Sequence, residues 1–480
     1  MKKVLTLALL LTLLTGCNPQ NKAKEEVLNI ISVNDLHGAI MENEYSKGMA
    51  SLKYQIDLIE NQDDVDNTIV IGNGDMLQGT ALSNVSKGES VIEVMNDVGF
   101  DILGIGNHEF DWGIEEYLKF FDGDKSNGES TATLVNSNLY YKDSGKLLEH
   151  SLPYTVIDLD FIKVGVVSFA PGSLTSSILQ SRISNIDFRD VATICSELME
   201  EVKSKCDIVI ANTHSGDKVN DMTNMILNNY GVSAIINGHR HSEYNGYYDV
   251  VNQLVPVVQN KDSLKNTFGY IQLTLKDKKV TKATVKNVPL DSTKQDAVIK
   301  QKIDEQYNKY APLINEELCY SSSNYSSKSG FPKWGTRVIL DVTKSDVSII
   351  NTGAFRNINI SKDKPITNGD VFEIMPFDNE VILFELTGEE IHGLNFSDME
   401  ITLTDEFDDN IYNLNFYKTY QVAIIDYLAY KSSTLRDLIS SGKATAYPVI
   451  FRDLLVDELR EHGKQNIKFD VYDRTILTAK

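Results

Sequence analysis

Leu28-Asn29-Ile30-Ile31-Ser32-Val33-Asn34-Asp35-Leu36-His37 is a short apolar run that ends on a carboxylate and an imidazole. Short β-branched runs bounded by Gly and Asn read as buried strands. The pattern recurs four times. Thr68-Ile69-Val70-Ile71-Gly72-Asn73-Gly74 runs into Asp75, and Asp101-Ile102-Leu103-Gly104-Ile105-Gly106 runs into Asn107 and His108, with Asp111 close behind. Asp207-Ile208-Val209-Ile210-Ala211-Asn212-Thr213 runs into His214, and Ser233-Ala234-Ile235-Ile236-Asn237-Gly238 runs into His239, with His241 two residues on. In an open α/β sheet, ligands bind just beyond the carboxyl ends of the strands. One edge of one sheet is therefore expected to gather two carboxylates, a carboxamide and four or five imidazoles. Oxygen and imidazole donors without thiolate suit Mn, Fe, Zn, Co or Ni. There are too many donors for one ion, so the pattern predicts a site for two divalent metal ions.

Around these runs the chain has 480 residues, more than one core ordinarily holds, so two domains are expected. A net charge of −22 argues against a nucleic-acid polymer as partner, because phosphate backbones demand a basic surface. A small phosphorylated substrate stays compatible, since a metal pair and one Arg bind an anion locally. Lys2-Lys3, the apolar stretch 4–14 and Leu14-Thr15-Gly16-Cys17 resemble a bacterial lipoprotein signal peptide. That resemblance implies a lipid anchor on Cys17 and a location on the outer side of a cell membrane; an ordinary signal peptide is the alternative. Residues 18–26 read as a polar tether. Cys195, Cys206 and Cys319 form no CxxC pair and are expected as buried or partly buried thiols.

From 27 to 290 strands and helices alternate, which predicts a layered α/β sandwich covered on both faces. Helices are expected over 49–60, 89–97, 113–121, 190–203 and 221–229. Residues 291–318 read as a charged helix between domains, and 321–327 as a Ser-rich loop, so 291–328 forms a linker. A smaller α/β domain is expected over 329–480. Its strands are predicted at 347–351, 369–375, 381–388 and 420–426, and its helices at 388–394 and 448–462.

Asp35 and His37, two apart on an extended segment, point the same way and can chelate one ion together. Asp75, following Gly74, suits a carboxylate bridging two cations. Asn107 offers a carbonyl oxygen, and His214, His239 and His241 complete the candidate metal set. Any one alone carries little, since Asp and Asn after a strand are common turn formers. Five of the eight histidines fall at these strand ends, however, and that clustering favours ligation. His150, His392 and His462 sit in polar contexts and read as surface residues. Two metals about 3.5–4 Å apart bind phosphate oxygens and lower the pKa of a bridging water, which fits in-line phosphoryl transfer. Such a site needs one more cation or donor near the phosphoryl oxygens. His108 suits that role, with Asp111 three residues on to orient its imidazole; a further metal ligand is the alternative role.

The runs Asp35-Leu36-His37-Gly38, Gly74-Asp75, Gly106-Asn107-His108-Glu109-Phe110-Asp111-Trp112-Gly113, Thr213-His214 and Gly238-His239-Arg240-His241 resemble the motifs of calcineurin-like metallophosphoesterases. The run around His108 is similar to the form found in the bacterial 5′-nucleotidase family. That resemblance implies one metal on Asp35, His37, Asp75 and His241, and a second on Asp75, Asn107, His214 and His239. It implies His108 and Asp111 as a catalytic dyad.

Asn351-Thr352-Gly353-Ala354-Phe355-Arg356 resembles the family's substrate loop, and 369–379 its segment with a base-stacking aromatic. The resemblance implies substrate-binding roles for Asn351, Arg356 and Phe377. Arg356 has a planar fork suited to phosphate, and Phe377 suits stacking on a nucleobase. Thr352 and Ala354 depart from the family's tighter Gly run, and 330–341 lacks the extra Arg expected near Phe331. Tyr430-Lys431-Ser432-Ser433 replaces the usual Gly-Gly-Asp-Gly turn, leaving Tyr430 as the candidate second stacking aromatic. The expected activity is a surface 5′-nucleotidase acting on nucleoside monophosphates. The alternatives are hydrolysis of cyclic nucleotides, dinucleotides or nucleotide sugars, and a non-catalytic ligand-binding lipoprotein.

Overall fold

β1 (Glu26–Val33) alternates its side chains between two cores: Leu28 and Ile30 join one apolar cluster, Ile31 and Val33 another. That period of two is what a strand buried on both faces requires. The computed structural model describes residues 25–479, apart from 63, 64, 66, 217–229, 251, 252, 395–397 and 408. The leader with Cys17, the tether up to residue 24 and the whole helix expected over 221–229 lie outside the described residues.

The chain continues through α1 (Gly48–Glu60), β2 (Asn67–Gly72), α2 (Glu89–Val98), β3 (Ile102–Leu103) and β4 (Thr133–Leu134). After them come β5 (Thr155–Asp158), β6 (Lys163–Phe169), α3 (Val191–Lys205), β7 (Ile208–Thr213) and β8 (Ala234–Asn237). Two hairpins, β9 (Tyr244–Val250) with β10 (Gln253–Gln259) and β11 (Thr267–Lys276) with β12 (Lys279–Pro289), complete this part. These strands form two six-stranded sheets, of order β12-β11-β1-β2-β3-β4 and β9-β10-β8-β7-β6-β5. The expectation of a single sheet edge is corrected here: β1, β2 and β3 belong to one sheet, and β7 and β8 to the other. The two sheets face each other across Leu28, Ile30, Ile69, Ile71, Val164, Val166, Ile208, Ile210 and Ile236. Each such side chain contributes about 1.5–3 kcal/mol relative to exposure. Helices α1 and α2 cover the outer face of the first sheet, and α3 that of the second.

The expected linker helix is shorter than predicted, α4 (Ala297–Ile314), because the Asp296 carboxylate caps it by accepting from Ile299 N at 2.8 Å. It packs on α1 and α2 through Ile299 and Ile303, with Lys302–Glu93 and Lys309–Glu89 ion pairs along its side. An unforeseen helix, α5 (Ser327–Thr343), opens the second part of the molecule. It is followed by β13 (Val347–Asn351), α6 (Asn368–Ile374), β14 (Glu380–Thr387), α7 (Gly388–Gly393), β15 (Met399–Leu403) and β16 (Thr419–Ile425). The chain ends in α8 (Asp426–Lys431), α9 (Ser433–Ser440), β17 (Ala444–Ile450) and α10 (Phe451–Lys464). The strands form a five-stranded sheet of order β15-β13-β16-β14-β17.

Three further expectations are corrected. Residues 369–375 form helix α6 in place of a strand: Thr367 and Asp370 make a reciprocal capping box, and Val371 and Ile374 are buried one turn apart. The last helix begins at Phe451, since Pro448 lies within β17. His462 is buried, paired with Glu458 one turn earlier on α10. Cys195, Cys206 and Cys319 are free thiols, the first and third buried.

Candidate active site

The carboxyl ends of β1, β2 and β3 in one sheet meet those of β7 and β8 in the other, and the loops that leave them are unusually bent. Asp35, His37, Asp75, His239 and His241 all have positive φ, between 50° and 83°. Non-glycine residues held there cost about 1–3 kcal/mol each and cluster at functional sites. Gly74 lies so close to Gly106 that a Cβ on it would collide with the Gly106 backbone. The Glu109 carboxylate fastens these two loops together, accepting from Asp75 N (2.8 Å), Met76 N (2.8 Å) and Gly106 N (2.7 Å). Burial, with Asp75 nearby, pushes its carboxyl up to about 7.

Two groups of donors converge as a result. Asp35, His37, Asp75 and His241 form one, and Asp75, His214 and His239 the other, with ligand atoms within 4.8 Å of one another in each. In the first, His37 Nε2 and His241 Nε2 are 3.1 Å apart, and His241 Nε2 is 3.5 Å from Asp35 Oδ1. In the second, His214 Nε2 is 3.1 Å from Asp75 Oδ2, and Asn107 joins by placing Oδ1 2.8 Å from His239 Nδ1. All seven sequence-predicted ligand candidates are thus brought together, with Asp75 common to both groups.

The ring tautomers suit metal ligation. His37 Nδ1 donates to Gln78 O (3.0 Å) and His214 Nδ1 to Asn73 O (2.7 Å). A carbonyl only accepts, so Nδ1 carries a proton in each ring and Nε2 faces the cluster. Burial opposes a charged His214 ring, but Asp75 and Asp35 outweigh it and push that ring up to about 10. His214 Nε2 is buried and makes no hydrogen bond. An orphaned ring nitrogen aimed at a carboxylate, within an all-oxygen and imidazole donor set, fits a divalent cation. The buried Asp/His cluster is compatible with a dinuclear divalent metal site. Burial opposes ionisation of Asp75, yet His214 and His108 hold its carboxyl well below the usual range. Burial and the neighbouring His108 push the His37 ring down to about 4, so it stays neutral and able to ligate.

His108 stands beside the cluster. Its amide donates to Asp75 Oδ1 at 2.7 Å, and its Nδ1 lies 2.7 Å from Asp111 Oδ2. Burial opposes the imidazolium, but Asp111 and Asp75 outweigh it and push the ring up to about 9. With Nδ1 held by Asp111, Nε2 is the ring position left to meet a ligand.

The other wall comes from the second part of the chain. A cleft of about 1030 Å³ runs from Asp75, Asn107, His108, Asp111, His239 and His241 to Asn351, Phe377, Tyr427 and Lys431. Phe377 stacks over His108, with ring centroids 6.1 Å apart and planes at 22°. Arg356 places its guanidinium 5.5 Å from the Phe377 centroid, and that group makes no hydrogen bond or ion pair among the described residues. Asn351 Oδ1 is buried without a hydrogen-bond partner. Tyr430 packs against the second core and does not line the cleft, whereas Tyr427 does. Lys431 Nζ lies 2.5 Å from the Tyr427 hydroxyl and 4.1 Å from its ring centroid.

Sequence reasoning passed over Glu109, Asn34 and Tyr427. Asn34 orients the first ligand by donating to Asp35 Oδ2 at 2.6 Å, and adjacency to Asp35 was its only signal. Tyr427 follows a buried Asp426 at the start of α8, which turns its ring to the cleft.

A layered sandwich with paired Asp/His donor groups at its strand ends, closed over by a smaller α/β unit, defines a metallophosphoesterase architecture. Residues 28–243 match the calcineurin-like phosphoesterase family and residues 314–394 the 5′-nucleotidase C-terminal domain family. The two matches follow one another along the chain, the first on the two-sheet part and the second on the smaller part. It is 27% identical over 415 residues to the endonuclease YhcR of Bacillus subtilis, covering 78% of this chain and 33% of that protein. It is 24% identical over 451 residues to a 5′-nucleotidase of Vibrio cholerae, covering 82% and 80%. The chain therefore spans a third of the Bacillus relative and most of the Vibrio one. Its fold is similar to a 5′-nucleotidase precursor from Thermus thermophilus, with TM-score 0.72 and 17% identity over 91% of this chain and 96% of that one.

Proposed function

We propose that this chain is a metal-dependent phosphoester hydrolase that releases phosphate from nucleoside 5′-monophosphates. The observation that carries this reading is one cleft with the two donor groups and His108 on one wall, and Phe377, Tyr427 and Asn351 on the other. The family matches and the Vibrio relative's name support the same substrate class.

Asp35, His37, Asp75 and His241 would hold one ion, and Asp75, Asn107, His214 and His239 the other. When bound, such a pair supplies Lewis-acid neutralisation of phosphoryl charge and activation of the attacking water. His108 supplies a further positive donor at Nε2 to the phosphoryl oxygens, where charge develops in the transition state. Asp111 keeps that imidazole protonated and aimed. Arg356 offers an unpaired planar cation to the substrate's anionic end. Phe377 and Tyr427 present ring faces to a base, and Asn351 Oδ1 an acceptor to a hydroxyl or amine. The resemblance of the leader to a lipoprotein signal peptide supports a cell-surface location with Cys17 as the tether.

A second reading, hydrolysis of cyclic nucleotides, dinucleotides or nucleotide sugars, is favoured by the extension of the cleft along Lys431, Ser432, Ser433 and Thr434, where the family's usual turn is replaced. Phosphate release from AMP, set against release of nucleoside monophosphate from 2′,3′-cyclic AMP, NAD and UDP-glucose by the metal-loaded protein, separates the two. AMP as the preferred substrate, abolished by EDTA, is the expected result. Activity that survives EDTA would sink the metal mechanism, and indifference to AMP would sink the substrate assignment.

A further inference from the structure

Phe377 owes its place over His108 to the turn that carries it, and that turn is held from both sides. Pro376 O accepts from Gln78 Nε2 (3.0 Å) and Asn84 Nδ2 (3.3 Å) of the first domain, and from Arg452 Nη1 (3.4 Å) of α10. Asp378, one residue beyond Phe377, is the stronger joint. Its Oδ1 pairs with Arg452 Nη2 at 2.5 Å and its Oδ2 with Lys87 Nζ at 2.6 Å. The Asp378 and Arg452 side chains are 5% and 4% exposed, whereas Lys87 is 40% exposed. Arg452 also lies over the Phe372 ring at 4.0 Å, so it is packed on α6 as well as paired. Lys87 lies 5.2 Å from the ring centroid of Trp112, the residue after Asp111. One carboxylate thus links the aromatic turn of the second domain to the loop bearing the His108–Asp111 pair.

A buried ion pair is costly to break by removing one partner, because the other charge is left buried and alone. The Asp378–Arg452 half is therefore the fixed part. Lys87 is the arm that can be removed with least damage, since water reaches it. None of the three lies among the metal donors, and Phe377 is the ring they aim.

We infer that Asp378 is a positioning residue, clamped between Arg452 and Lys87, and that the Lys87–Asp378 pair sets how tightly the site holds a substrate bearing a ring system. The inference rests on the nucleotide reading above, because only a base-bearing substrate uses the Phe377 face. Loss of the Lys87 arm leaves Asp378 held by Arg452 alone, which loosens the turn on its first-domain side and lets Phe377 shift. The penalty falls on binding of the base, while the donor cluster keeps its contacts and His108 its hydrogen bonds to Asp75 and Asp111.

The test uses the metal-loaded full chain with AMP and with ribose 5-phosphate, which carries the same reacting ester and no base. Lys87→Met is expected to raise the KM for AMP by about three- to tenfold, the range of a partly exposed to partly buried ion pair, with kcat unchanged. Its kcat/KM for ribose 5-phosphate stays at the wild-type value, and Lys87→Arg restores the KM for AMP. An unchanged melting temperature of Lys87→Met excludes a folding defect as the cause. An AMP KM indifferent to Lys87→Met, or an equal loss on both substrates, overturns the inference alone. A wild type that turns over ribose 5-phosphate but no nucleotide overturns the nucleotide reading, and the inference with it.

Discussion

His108 and Glu109 are neighbours whose side chains take different tasks. His108 faces the cleft with its ring held by Asp111, so its loss should show in turnover. His108→Ala is expected to lower kcat by about 10²–10⁴ while leaving bound metal unchanged, as measured by steady-state kinetics beside metal analysis. Glu109 faces inward and satisfies three amides, of Asp75, Met76 and Gly106. A glutamine there keeps one acceptor oxygen and brings a donor against amides that need acceptors. Glu109→Gln should therefore cost about 1–3 kcal/mol in unfolding free energy and weaken metal binding, both read by titration. The difference in legibility follows from the partners. Asp35, His37, Asp75, Asn107, His214, His239 and His241 advertise themselves by donor chemistry at strand ends. Glu109 binds backbone, and two of its three amide partners lie more than thirty residues away, so the residue string does not mark it.

At the scale of elements, α6 shows why short segments mislead. Its Val371, Phe372 and Ile374 are good strand formers, and seven residues are too few for apolar period to separate helix from strand. The capping box decides: Thr367 Oγ1 accepts from Asp370 N at 3.1 Å and Asp370 Oδ2 accepts from Thr367 N at 2.7 Å. Thr367→Ala should cost about 1 kcal/mol in denaturant unfolding and loosen the turn that follows. On α10, Glu458 accepts from Leu477 N and Thr478 N, both at 2.8 Å, and pairs with His462, so this helix ties down the end of the chain. Burial opposes both charges, yet the pairing raises His462 above 6.5 and lowers Glu458 below 4.5. The histidine's contribution is complete below pH 6.5 and fades as pH rises through its folded value. The glutamate's is complete above 4.5 and fades as pH falls. Melting temperature followed across pH should show an alkaline decline that His462→Gln flattens.

At the scale of the molecule, the alternating strand–helix order was readable, but the division into two sheets was not. β1 lies between β2 and β11, with Glu26 opposite Leu275, and nothing local encodes a neighbour that far along the chain. Apolar runs say that a strand is buried on both faces and not which strand it lies beside. The donor set inherits that division: Asp35, His37, Asp75 and Asn107 leave the first sheet, and His214, His239 and His241 the second. Metals at this site would therefore act as a cross-link between sheets as well as catalytic groups. Without them the two carboxylates and the neighbouring rings compete for protons in a buried space, and the loops of the two sheets are joined by hydrogen bonds, such as His214 Nδ1 to Asn73 O (2.7 Å) and His239 N to Asp35 Oδ2 (2.9 Å). Ions that bind the folded chain and not the unfolded one add about 2.7 kcal/mol at a hundred times the dissociation constant. For a domain of this size that corresponds to roughly 5–10 °C in melting temperature. Scanning calorimetry with Mn²⁺ and with EDTA should show the shift in the transition that contains the two-sheet domain. Asp75→Asn, which weakens the residue common to both donor groups, should abolish most of it. A transition that does not move with metal would mean that the sheets are already locked by packing alone, and that the cluster's bent loops are held without help from an ion.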